Sequence, residues 1–470
     1  MNAEPPGEPI GVRTGRARRK ATRPLARVNQ LGQAIGPKGH QTRQRLLDAT
    51  SALLETTKIR DLQVANIARA AQTSPATFYV YFNDVTAAVL TLIGEVTQST
   101  PNLLSLLASS WGSQGDYACA HAFVSGYVEH WRTHAAMFRV RNLASDEGDQ
   151  RFTELRIHAI SSLIEGMARR IEQRQQTGAL ISAVQAVSVA GALLALIERI
   201  AVLKLAPPNY GVTRETLVDA ASFFSILVMG EGDAVSAMPA LSVQEPPNAP
   251  IPVEARAEFR TSAQTTNKQG QLIGPKGANT RNRILEATDS LVRVRGLREF
   301  SIKDIADLAK VSTSAFYLYF EDVADALLCL TYQESPVPPR LMEIVSGDAT
   351  RPDLAAEALE FIALYVEYWL RHAALFRVRN LAADEGDERF IRARSEAVRP
   401  LLVAIAERIA ERQACGALPA GLHPFSTAGA LLAMIERLCA TPSVGSVGRV
   451  TRATLNQAAA YFLSVLLAGA

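Results

Sequence analysis

Cysteine is scarce in this chain: Cys119, Cys329, Cys415 and Cys439 are the only four among 470 residues. None forms a C-x-x-C pair, and Cys119 with His121 is too little to build a zinc site. A disulfide scaffold is excluded; no metal or cofactor is expected, and reduced thiols fit a cytoplasmic protein. Aromatics are only 6% of the chain and Val/Thr-rich alternating runs are few, which argues against a sheet protein. The longest apolar run, Ala186–Ile197, has 12 residues, whereas a membrane span needs about 18–20. The N-terminus is polar and basic without an apolar segment, so neither a secretory signal nor a membrane partner is expected. No nucleophile–base set or dinucleotide fingerprint appears, and Gly36-Pro37-Lys38-Gly39 lacks phosphate-loop spacing, so an enzyme is not expected.

What is abundant is Ala, Leu, Glu and Arg, a mix that favours helix. The net charge is only +3, but residues 1–40 hold eight Lys/Arg against Glu4 and Glu8. A basic arm ahead of a near-neutral body is a common shape among DNA-binding proteins.

The dominant feature is a repeat. Shifted by 238 residues, the chain aligns with itself from near residue 36 to near 230: Gly36–Gly39 falls on Gly274–Gly277, and Phe78–Phe82 on Phe316–Phe320. Residues 126–150 match 364–388 at 18 of 25 positions, and Gly191–Ile200 matches Gly429–Leu438 at 8 of 10. The reading is all-α, with two tandem units. Residues 1–35 are a basic arm, 36–100 a first head, 101–230 a first body, 231–273 a linker carrying Pro239, Pro246, Pro247, Pro250 and Pro252, 274–338 a second head and 339–470 a second body.

Each head begins with an amphipathic helix bearing Leu46, Leu47, Ala49, Leu53 and Leu54, or Ile284, Leu285, Ala287, Leu291 and Val292. A short second helix follows; Ser301 with Asp304 reads as a capping box, and Gln63 with Asn66 as a weaker start. After a tight turn, Ser74 or Ser312 caps a third short helix, with Pro75 suited to its first position. Asp84 and Asp322 read as caps of a fourth. Two helices joined by so short a turn make a helix-turn-helix, at about 63–82 and 301–320, whose second member enters a major groove.

The pattern I-A-x-x-A-x-x-S-x-x-x-F-Y-x-Y-F-x-D, present from Ile67 and again from Ile305, resembles that of the tetracycline-repressor-like (TetR) family. The resemblance implies a three-helix DNA-binding domain, a larger helical effector domain binding an unknown small molecule, and dimerisation through the last two helices of each unit. The chain departs from the family at the turn, where Gln72 and Lys310 replace Gly, and after the motif, where Val85 and Val323 replace Lys. Carried over, Thr42 and Arg43, with Thr280 and Arg281, touch phosphates. Tyr79 and Tyr81, with Tyr317 and Tyr319, touch phosphates or base edges, and Ser74, Pro75 and Thr77, with Ser312, Thr313 and Ser314, face bases. Lys38 and Lys276 approach the backbone beside the first helix.

The bodies read as five helices each, with Ala186–Ile200 apolar nearly all round and Gly191 and Gly429 expected to admit close helix approach. The two units are expected to form a pseudo-dimer within one chain, with further dimerisation open. F-R-V-R-N occurs at Phe138–Asn142 and Phe376–Asn380. Either Arg139, Arg141, Arg377 and Arg379 meet an anionic ligand, or they join interhelical salt bridges, which the acidic residues close by favour. The expected function is a ligand-responsive repressor with double-stranded DNA as partner. The alternatives are a small-molecule binder with inactive heads and an architectural DNA-binding protein.

Overall fold

The computed structural model describes residues 29–469 except 31, 58, 98–100, 113–115, 147, 181, 204–209, 235–237, 239–266, 269, 296–299, 334–336, 348–352 and 441–449. Most of the basic arm and the proline-rich part of the linker lie outside the described residues. Among the described residues there are twenty α-helices and no strand. They are α1 Pro37–Leu54, α2 Val64–Ala70, α3 Pro75–Tyr81, α4 Val85–Thr97, α5 Pro101–Ala108, α6 Asp116–Thr133, α7 Ala135–Asp146, α8 Gln150–Gln176, α9 Ala186–Val202 and α10 Arg214–Met229. The second unit repeats them as α11 Pro275–Arg295, α12 Ile302–Ala309, α13 Thr313–Tyr319, α14 Val323–Gln333, α15 Pro339–Ser346, α16 Leu354–Arg371, α17 Ala373–Glu385, α18 Glu388–Ala414, α19 Pro424–Ala440 and α20 Arg452–Ala468. The short helices α5 and α15 are additions to the sequence reading. Their apolar runs carry no long helical period, and only Pro101 and Pro339 at the first position mark them. No single described helix is long and apolar enough to cross a membrane.

The chain divides into two compact parts, residues 1–92 and 93–470. In the first, α1, α2 and α3 close over Leu46, Leu47, Ile67, Ala68, Phe78 and Phe82, all fully or nearly fully buried. The sequence dictates this locally: apolar positions recur every three or four residues along α1, and Ser74 accepts the Thr77 amide at 3.1 Å to start α3. Asp84 likewise accepts the Ala87 amide at 2.6 Å.

The second part holds both bodies and the second head. Helix α9 packs on α6, α8 and α10 of its own unit and also on α19 and α20 of the other. Its near-continuous apolar surface is explained by that double contact, since neighbours cover it on all sides. Helix α10 also meets α19, so the four last helices form one bundle. Polar pairs follow the repeat across this bundle: Ser188 donates to Thr454 at 2.8 Å, and its mirror pair, Thr216 with Ser426, lies 2.7 Å apart. Residues i and j meeting j and i of the other copy are the mark of a two-fold, isologous interface. Gly191 and Gly429 do not serve as expected. A Cβ on either would meet only Leu455 at 4.0 Å or Leu402 at 3.7 Å, ordinary contacts that alanine would tolerate.

Candidate nucleic-acid interface

Each head presents α3 or α13 with its aromatic core side inward. Phe78 and Phe316 are fully buried, and the neighbouring Tyr79 and Tyr317 are 54% and 48% exposed. Each tyrosine ring stands edge-on to its buried phenylalanine, at 5.7 and 5.8 Å between centroids. Packing therefore holds the ring while the phenol faces water. Tyr81 and Tyr319 are half-buried. Their hydroxyls lie beside the first turn of α1 or α11, where a Cβ on Gly39 or Gly277 would stand 3.2 Å from the hydroxyl oxygen and crowd Ile35 or Ile273. A side chain at the second glycine of G-P-K-G would thus make the isoleucine and tyrosine give way, and the preceding lysines, Lys38 and Lys276, remain exposed.

The turn before α3 is strained where glycine would have relieved it. Gln72 has φ 53° and Lys310 φ 52°, both left-handed. That conformation closes the helix end: the Thr73 amide reaches the Ala68 carbonyl at 2.9 Å, and the Val311 amide the Ala306 carbonyl at 2.9 Å. Ser301 and Asp304 form the expected capping box, whereas Gln63 makes no side-chain cap.

At the start of the first helix the structure separates the carried-over residues. Thr42 and Thr280 turn their hydroxyls back to the Lys38 and Lys276 carbonyls at 3.1 and 3.0 Å. Arg43 is half-buried, its guanidinium 5.5 Å from the Phe82 ring centre. Arg281, expected at a phosphate, is only 3% exposed and lies over Phe320 at 5.3 Å. Its charge is held inside the head beside Cys329, whose thiol burial pushes up to about 11 although Arg281 pulls it down. Ser74, Pro75, Ser312, Thr313 and Ser314 are exposed, and Thr77 is half-buried.

Sequence reading missed one structural feature of the heads. The described residues among 29–33 and 267–271, assigned to arm and linker, are tied to the end of the recognition helix by the main chain. The Gln30 amide donates to the Val80 carbonyl and the Lys268 amide to the Leu318 carbonyl, both at 3.0 Å. Asn29 and Asn267 close each turn by accepting the Gln33 and Gln271 amides at 2.9 Å. The signal was present: the repeat extends back to Asn29 and Asn267, with N-x-x-G-Q in both copies.

In the bodies, the two arginines of F-R-V-R-N part ways. Arg141 and Arg379 are buried, lie over Phe138 and Phe376 at 4.6 and 4.5 Å, and meet Glu198 and Glu436 at 3.5 and 2.8 Å. Arg156 adds a contact to Glu198 at 3.0 Å. Arg139 and Arg377 are exposed, the Arg377 guanidinium lying 5.8 Å from the Trp369 ring centre. Asp384, from the acidic stretch after the motif, receives Arg394 at 2.9 Å and, across the repeat, Arg199 at 3.0 Å. These are the interhelical salt bridges.

Comparison with known proteins agrees with this architecture. A family model described as the tetracyclin repressor-like C-terminal domain matches residues 103–230 and again 346–468. The model of the tetR family of bacterial regulatory proteins matches residues 284–324, spanning α12 and α13. No curated protein matches the chain. Two matched bodies that together cover more than half of the chain, with a matched helix-turn-helix head, make this a member of the TetR family of DNA-binding transcription regulators, built as a tandem repeat of two units in one polypeptide.

Proposed function

We propose that one chain acts as the family's dimer: a ligand-responsive repressor whose two heads bind the two halves of an imperfect palindrome. The observation that carries this is the reciprocal pair Ser188–Thr454 and Thr216–Ser426, which supports an interface satisfied within one polypeptide. In this reading Lys38, Lys276, Thr42, Thr280 and Arg43 position the heads on phosphates, and Tyr79, Tyr81, Tyr317 and Tyr319 extend that contact. Arg281 acts from inside by holding α13 through Phe320. Pro75, Thr77, Thr313 and Ser314 lie nearest the bases, with Ser74 and Ser312 setting the helix start.

The bodies supply the response. Arg141–Glu198 and Arg379–Glu436 tie the F-R-V-R-N helices to α9 and α19, so a ligand that shifts α7 or α17 acts on the bundle through a buried ion pair. A ligand is favoured by a further feature of both units. The indole N–H groups of Trp131 and Trp369, equivalent and buried, have no acceptor among the described residues. Leaving such a donor unpaired costs about 1–3 kcal/mol, which an acceptor on a ligand among Phe138 or Phe376 and their neighbouring rings would recover. Only a difference in ligand affinity between DNA-competent and incompetent states drives release.

The test is mass measurement of the protein–DNA complex together with footprinting on the DNA upstream of the chain's own gene. One chain protecting two half-sites is expected. Two chains, each engaging one half-site through the same head, would overturn the reading.

A further inference from the structure

The two recognition helices have the same frame but present different chemistry. At the first turn of α3 the exposed side chains are Pro75 and Ala76, a ring and a methyl without a donor or acceptor. The hydroxyls of that turn are directed to one another: Ser74 Oγ lies 2.9 Å from Thr77 Oγ1 while it accepts the Thr77 amide. At the same place on α13 stand Thr313 and Ser314, both exposed. Neither hydroxyl has a protein partner among the described residues, and Ser312 alone makes the cap, to the Ala315 amide at 3.0 Å. Position 315 is alanine, so no hydroxyl closes on Ser312 as Thr77 does on Ser74.

Side chains in the first turn of a recognition helix are those that meet base edges. Apolar groups there find the thymine C5-methyl, while hydroxyls donate to acceptors such as purine N7. Resting on the two-headed reading above, we propose that the heads read their half-sites by different means. The first head selects thymine methyl groups through Pro75 and Ala76. The second selects hydrogen-bonding edges through Thr313 and Ser314. Because both heads belong to one chain, the operator then has a fixed polarity.

The experiment uses the full chain and duplexes selected by it from a randomised pool. In the best duplex each thymine is replaced in turn by uracil, which lacks the methyl, and each purine by its 7-deaza analogue, which lacks N7. Uracil is expected to weaken binding about fourfold per contacted methyl in one half-site only. Deaza substitution is expected to act in the other half. Pro75→Thr with Ala76→Ser should shift selection toward a symmetric site and abolish the uracil effect. Thr313→Pro with Ser314→Ala should bring uracil sensitivity to both halves. Equal sensitivity of both halves in the parent chain, or unchanged selection by both double variants, overturns the proposal while leaving two-headed binding in place. A chain that selects no duplex, or protects a single half-site, overturns both.

Discussion

Phe224 and Phe462, 238 residues apart and equivalent in the repeat, meet edge to face with ring centroids 5.4 Å apart and planes at 85°. Both are fully buried. A residue that touches its own counterpart marks the pseudo-two-fold axis, and here the axis is filled by aromatic packing. Truncation of either ring, Phe224→Ala or Phe462→Ala, is expected to cost about 3–5 kcal/mol. The double variant should show a coupling of about 0.5–1.5 kcal/mol, the usual size for an aromatic pair. Urea unfolding of the four species measures this, and strict additivity would place the axis elsewhere.

The exposed phenols predict a separation of binding from stability. Tyr79→Phe and Tyr317→Phe keep the edge contact with Phe78 and Phe316 and remove only a hydroxyl. DNA affinity should fall by about 1–2 kcal/mol for each, with melting temperature nearly unchanged. Equal losses in both would mean that the phenols are part of the core.

The left-handed residues at the helix-turn-helix turn hold recoverable strain. Gln72→Gly and Lys310→Gly are each expected to raise stability by up to about 1 kcal/mol, because glycine adopts positive φ without a Cβ clash. Gln72→Ala should give no gain. Thermal melts of the three variants decide the matter; a destabilising glycine would show that the flexibility it adds to the unfolded chain outweighs the relief.

Glu198 answers two arginines, the buried Arg141 and the half-buried Arg156, and accepts from the Tyr127 hydroxyl at 3.2 Å. Burial raises its carboxyl, but Arg156, Arg141 and Arg437 together outweigh burial and hold it below the ordinary value. Glu198→Ala leaves guanidinium groups facing a void and is expected to cost about 3–5 kcal/mol. Denaturant midpoints test it. A loss near zero would mean that water reaches the arginines.

His130 gives the bodies a pH dependence with a definite sign. Burial, aided by His134 and Arg141, pushes it down to about 4 from 6.5, and burial also lowers His134. Between those values the unfolded chain binds a proton that the native chain does not, so stability is complete above about 6.5 and falls as pH drops toward 4. His130→Tyr, which copies Tyr368 of the second unit, should flatten part of that slope in urea midpoints taken at pH 7.5 and pH 5. An unchanged slope would assign the dependence to other groups.

The sequence by itself determined the repeat, the helical class and the helix-turn-helix frame. Those signals are short-range: an apolar residue every third or fourth position, a serine or aspartate at a helix start, a fixed 238-residue shift. It also held the turns closed by the Asn29 and Asn267 side chains, but not their docking on the recognition helix, because a main-chain bond to the Val80 or Leu318 carbonyl leaves no side-chain signature. Tertiary structure alone decided which face of each helix a charge occupies. Arg139 and Arg141 are two residues apart, yet one reaches solvent and the other lies over Phe138 against Glu198, because two steps along a helix turn a side chain through more than half a circle. A single step, about 100° of turn, likewise takes Arg281 into the core of its head while Thr280 stays half-buried. The pairing of Ser188 with Thr454 depends on which apolar face of α9 finds α20, and that is settled only when both helices have buried everything else.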